Sequence, residues 1–156
     1  HICGSNGSGK STLIRIILGI TTQTKGKINI FSEKQICYLG HKNAIKSYLS
    51  VEDNLLIMGL TTHSNINQFL KILELRDCLD VIVGNLSFGQ QKKVALLRLF
   101  LNDSDLIVLD EPFVGLDSDT QNLVNQFLIE ELNIKKGLIF TSHIKCEINS
   151  KTINLE

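Results

Sequence analysis

The sequence predicts an α/β fold: a parallel sheet core with a phosphate-binding glycine loop and an inserted helical section. Three observations predict it. The segment GSNGSGKST, Gly4 to Thr12, follows a short apolar start and precedes a helical apolar pattern. The apolar run Leu106 to Leu109 ends on Asp110, Glu111 and Pro112, as when a buried parallel strand delivers carboxylates to its C-terminal edge. Between them, apolar residues recur at helical rather than strand spacing.

The elements follow in chain order. A strand stub leads into the glycine loop, and Leu13, Ile16 and Ile17 form the apolar face of a helix that Gly19 can end. β-rich runs at Lys27 to Phe31, Gln35 to Leu39, Leu106 to Asp110, Gly137 to Ser142 and Thr152 to Leu155 predict strands. Ser50 and Asp53 form a capping box ahead of Leu55 and Leu56, and Phe69, Leu70 and Leu73 continue the helical pattern. A further helix starts at Ser87, with Val94, Leu97 and Leu101 on one face. Pro112 follows a strand, where it interrupts no ladder. No repeat, low-complexity run or linker divides the chain, so residues 1–156 are read as one domain. Its catalytic core is expected at 1–47 and 98–156, with a helical subdomain at about 48–97.

Composition narrows the function. At 156 residues and 43% hydrophobic, the chain can bury one core. Lys+Arg and Asp+Glu both number 16, so no broad electropositive surface is forced and direct nucleic-acid binding is not expected. No apolar run approaches the roughly 20 residues that cross a bilayer. Cys3, Cys37, Cys78 and Cys146 lack metal-ligand spacing and read as buried, reduced thiols. The chain opens on His1 without a signal-peptide pattern, and its opening strands are expected to lie upstream.

The chemistry sits in three motifs. In the loop, Gly4, Gly7 and Gly9 let backbone amides wrap phosphates, with Ser5, Asn6 and Ser8 between them, and the helix N-terminus adds its dipole. Lys10 reaches the β- and γ-phosphates, Ser11 offers a hydroxyl to Mg²⁺, and Thr12 completes the motif. Asp110 is placed to hold Mg²⁺, and Glu111 to orient and deprotonate a water. Standing alone, such an acidic pair also reads as a helix cap; the loop upstream favours chemistry. The third motif is LSFGQ, Leu86 to Gln90, where Ser87 and Gly89 open a helix whose amides and hydroxyl can face a γ-phosphate.

LSFGQ followed by QKKVALLRL resembles the signature sequence of ATP-binding cassette (ABC) proteins. The resemblance implies an ATPase that uses ATP and Mg²⁺ and works as a head-to-tail homodimer. Ser87, Gly89 and Gln90 would then meet the nucleotide of the other copy. It further implies that Gly115, Leu116 and Asp117 form the loop that communicates across the interface, and that His143, in TSH after GLIF, is the switch histidine. His41 stands where the family usually carries glutamine. The run LGHKNAIKSYLSVEDNL is similar to the heme-exporter branch that serves cytochrome c maturation, though Ala44 replaces a usual glycine there, and Phe88 a usual small residue of the signature. The implied partners are an integral membrane subunit and the cytochrome c maturation machinery. The implied place is peripheral, on the cytoplasmic face of the cell or inner membrane, with a mitochondrial inner membrane left open. The alternatives are the ATPase of another ABC transporter, a soluble non-transport ABC protein, or a non-catalytic remnant.

Overall fold

The computed structural model describes residues 1–31, 34–134, 136–143 and 148–155. Five strands, β1 (Ile2–Gly4), β2 (Cys37–Leu39), β3 (Leu106–Asp110), β4 (Gly137–Thr141) and β5 (Ile153–Leu155), form one sheet in the order β2-β3-β4-β1-β5. Every pairing is parallel. The register sets Leu39 beside Leu109 and Asp110 beside Thr141, so the residues leaving β2, β3 and β4 emerge together at the C-terminal edge. Ligands of open α/β sheets collect at that edge.

Among the described residues the α-helices are α1 (Lys10–Ile17), α2 (Val51–Ile57), α3 (Ile66–Ile72), α4 (Phe88–Phe100) and α5 (Ser118–Asn133). α1 ends as its sequence predicts: Gly19 adopts φ 70°, its amide bonds Ile16 O at 3.0 Å, and the Ile20 amide bonds Arg15 O at 2.8 Å. These paired bonds satisfy carbonyls that the helix end would orphan. α2 starts on the predicted capping box, with Ser50 Oγ accepting from Asp53 N at 3.0 Å and Asp53 Oδ2 accepting from Ser50 N at 3.3 Å. Such a cap stabilises by about 1 kcal/mol.

β3 separates the apolar core into two faces. Ile107 and Leu109 join the large cluster containing Val94, Leu97, Val124 and Phe140, while Val108 points the other way, onto Ile2 and Ile14 of the α1 side. Strand alternation produces this division. α4 is the central helix of the large cluster: Val94, Ala95, Leu96, Leu97 and Leu99 are all fully buried. Each large aliphatic side chain removed from water contributes roughly 1.5–3 kcal/mol. The large cluster also takes in Val51, Leu55 and Leu70, so the helical section and the sheet share one core.

Two expectations need correction. Lys27 to Phe31 forms no strand, and Ile28, Ile30 and Phe31 are exposed. Its β-branched residues favour extended backbone, but no described strand lies beside it to complete a ladder, and a lone strand is not stable in water. The cysteines expected to be buried are only partly so: Cys3, Cys37 and Cys78 are free thiols of intermediate exposure. Burial nevertheless pushes the Cys37 thiol up to about 11, which keeps it protonated and unreactive. Cys146 lies outside the described residues.

Candidate active site

A cavity of about 530 Å³ opens at the C-terminal edge of the sheet. Asn6, Gly7, Gly9, Lys10, Ser11 and Thr12 line one side, and His41, Asp110, Glu111, Val114 and His143 line the other. Three separate strand ends thus bring distant segments together, as the parallel register requires.

The loop has its shape because of its glycines. Gly4 has φ 151°, and a Cβ there would lie 2.4 Å from Ser8 Oγ and 2.5 Å from Leu155 O, so no larger residue fits between loop and β5. Gly9, at φ 97°, turns the chain into α1. Lys10 is 8% exposed and folds back across the loop, its Nζ donating to Gly4 O at 2.9 Å and Ser5 O at 3.0 Å. Ser5 therefore contributes a carbonyl to the lysine, while Ser8 Oγ is buried without a hydrogen-bond partner among the described residues.

The acidic side is organised by a residue that sequence reasoning missed. Thr141 Oγ1 donates to Asp110 Oδ1 at 2.8 Å and accepts from the Glu111 amide at 2.9 Å. One buried hydroxyl thereby orients one carboxylate through its side chain and the other through its backbone. The available signal was the hydroxyl residue ending GLIFT, directly across the sheet from Asp110. Glu111 has φ 54°, a left-handed conformation uncommon for a non-glycine residue and frequent at functional sites. Its carboxylate accepts from His143 N at 3.2 Å (Oε2), and His143 Nε2 stands 3.3 Å from Oε1. The backbone and ring of His143 thus both address Glu111.

Ser87, Gly89, Gln90 and Asp117 do not line this cavity. Ser87 caps α4, its Oγ accepting from Gln90 N at 3.2 Å while its amide donates to Gln90 Oε1 at 3.0 Å. The amides of Phe88 and Gly89 remain as first-turn donors of that helix. Phe88 is 61% exposed and lies over Gly115, where a Cβ would come within 2.2 Å of its ring. The aromatic departure at 88 is thus matched by a glycine at 115. Ala44, standing where glycine was expected, adopts φ 52°, a conformation that glycine takes without strain.

Asp117 caps α5 by accepting from Thr120 N at 2.8 Å and pairs with Lys93 at 3.2 Å. The Thr120 bonds first, then Lys93, hold its carboxyl down at about 2. A depressed carboxyl stabilises the fold above its unfolded value, and that contribution is lost as pH falls toward 2. It is therefore complete at neutral pH.

The family profile described as ABC transporter matches residues 1–114. The chain belongs to the ABC transporter family. The cytochrome c biogenesis ATP-binding export protein CcmA of Legionella pneumophila (strain Lens) is 35% identical over 163 residues, covering 96% of this chain and 80% of that protein. Among solved structures, an ATP-binding subunit of an ABC transporter shares the fold with a TM-score of 0.83 at 24% identity, covering 99% of this chain and 72% of that one. A dimeric ATP-binding cassette in a post-hydrolysis state, bound to ADP and Pi, gives a TM-score of 0.73 at 25% identity, covering 92% of this chain and 73% of that one. The parallel sheet and the position of the glycine loop in the cassette accord with these likenesses.

Proposed function

We propose that this cassette binds and hydrolyses MgATP between two copies of itself and drives a transporter for cytochrome c biogenesis. One observation carries the proposal: the phosphate loop, Asp110, Glu111 and His143 share one cavity, while the signature residues lie outside it. A site so divided is completed by a second copy, and the related cassette bound to ADP and Pi is described as a dimer. In this reading the loop amides of Gly4 to Thr12 and Lys10 hold the β- and γ-phosphates. Ser87, Gly89 and Gln90 of the second copy approach the γ-phosphate, with Asp117 at the interface. The catalytic core is 1–47 and 98–156, and residues 48–97 carry the signature.

The oxygen donors of Ser11 and Asp110 line the same cavity and suit a hard cation, so these two residues would hold Mg²⁺. When bound, Mg²⁺ offsets phosphate charge. Glu111 takes a proton from a water as its oxygen bonds the γ-phosphorus; the bond from that phosphorus to the bridging oxygen breaks, and ADP leaves. Thr141 and His143 keep Glu111 oriented, and His41 lines the same side of the cavity as Glu111.

Among the described residues no helix is long and apolar enough to cross a membrane. An integral membrane subunit supplies the pathway, and the cassette sits peripherally on the cytoplasmic face. Relatives named for cytochrome c biogenesis and export, together with the glycine-histidine segment at Gly40 and His41, support heme delivery as the work done. Purification of the tagged protein from membranes should bring down an integral membrane subunit with cytochrome c maturation components. Recovery of a different transporter's membrane subunit would overturn the heme assignment and leave the ATPase assignment standing.

A further inference from the structure

We infer that Lys92 is a positioning residue that ties the signature helix α4 to the main chain of Glu111. Lys92 lies on the second turn of α4, one turn from the Ser87 cap, and is 2% exposed. Its ammonium reaches Glu111 O at 3.5 Å, a long contact for a buried cation. That carbonyl also accepts the Val114 amide at 3.4 Å. Two long bonds therefore hold the peptide that follows Glu111, whose own φ of 54° is the left-handed conformation that aims its carboxylate at His143.

The surroundings explain why a charged residue remains there. Burial, the largest influence, pushes the Lys92 ammonium below its usual value, while the Asp110 and Glu111 carboxylates favour the charged form and Arg98 opposes it. A second cavity, about 510 Å³, lies beside the ammonium, with His41, Phe88, Gln91 and Val114 in its walls. An apolar side chain of equal length would fill the Lys92 site without the desolvation penalty of a buried charge. The ammonium thus adds what packing does not require: a donor fixed to α4 that holds the backbone of the catalytic glutamate. In the proposed dimer the capped end of α4 faces the second copy, so displacement of that end would reach Glu111 through Lys92.

This inference rests on Glu111 being the general base. Lys92→Met, Lys92→Arg and Glu111→Gln are measured side by side in the complex purified with its membrane partner. Lys92→Met is expected to lower kcat about tenfold, a moderate effect for a misplaced catalytic group, with KM for MgATP changed by less than about twofold. Its melting temperature should change little, because relief of the buried ammonium offsets the loss of a cation beside the Asp110 and Glu111 carboxylates. Lys92→Arg, which keeps a charged donor and can extend into the adjoining cavity, should recover most of the lost kcat. The inference is overturned if Lys92→Met turns over normally, if its activity and melting temperature fall together, or if Lys92→Arg is no better than Lys92→Met. Normal turnover by Glu111→Gln would instead overturn the base assignment itself.

Discussion

Glu111→Gln lowers MgATP turnover by about 10²- to 10⁴-fold while leaving ATP binding intact, the usual scale for losing a positioned base. The substitution is close to isosteric. An amide oxygen can still accept from His143 N, which now bonds Glu111 Oε2 at 3.2 Å, and the backbone bond to Thr141 does not involve the side chain. What disappears is the ability to take a proton. ATP should consequently hold two copies together without being consumed, so phosphate release falls while size-exclusion chromatography with MgATP shows an accumulated dimer. A monomer with normal phosphate release would remove Glu111 from the mechanism.

Lys10→Ala weakens nucleotide binding about 10- to 100-fold, because a hydrogen bond to a charged group contributes roughly 1.5–3 kcal/mol. Two losses combine. In the proposed site the terminal phosphates lose a cation, and the loop loses the ammonium that now joins Gly4 O and Ser5 O. The core should be little affected, since Lys10 stands at the rim of the sheet and its neighbour on the buried face of α1 is Ile14, fully buried. Calorimetric titration with ATP measures the effect, with thermal melting as a check on folding. Unchanged affinity would contradict the assignment of the loop.

Much of this site was legible in sequence because its parts are local. The glycine loop, the strand delivering Asp110 and Glu111, and the caps at Ser50 and Ser87 each depend on residues within a few positions of one another. Their geometry follows from short-range sterics and hydrogen bonding. Thr141 and Lys92 were not legible, because their partners lie across the sheet or on another helix and no short pattern records that proximity. The strand expected at Lys27 to Phe31 failed for the same physical reason in reverse. Its local preference was strand-like, but a strand is completed by a neighbour, and no described segment provides one. His41, which the family resemblance put in the place of a usual glutamine, lines the cavity after β2, and its role there is a proposal.

The central claim is that each ATP is hydrolysed between the phosphate loop of one copy and the start of α4 in the other. Ser87→Arg obstructs that helix start with a bulky charged side chain, and Lys10→Ala damages the loop, so either homodimer should be nearly inactive. In a heterodimer of the two variants, both lesions fall in the same composite site and the other site is intact. The decisive measurement is the ATPase rate of heterodimers purified through two different tags, compared with each parent homodimer. Recovery of partial activity, well above either parent, is the predicted result; a heterodimer no more active than its parents would contradict the shared site.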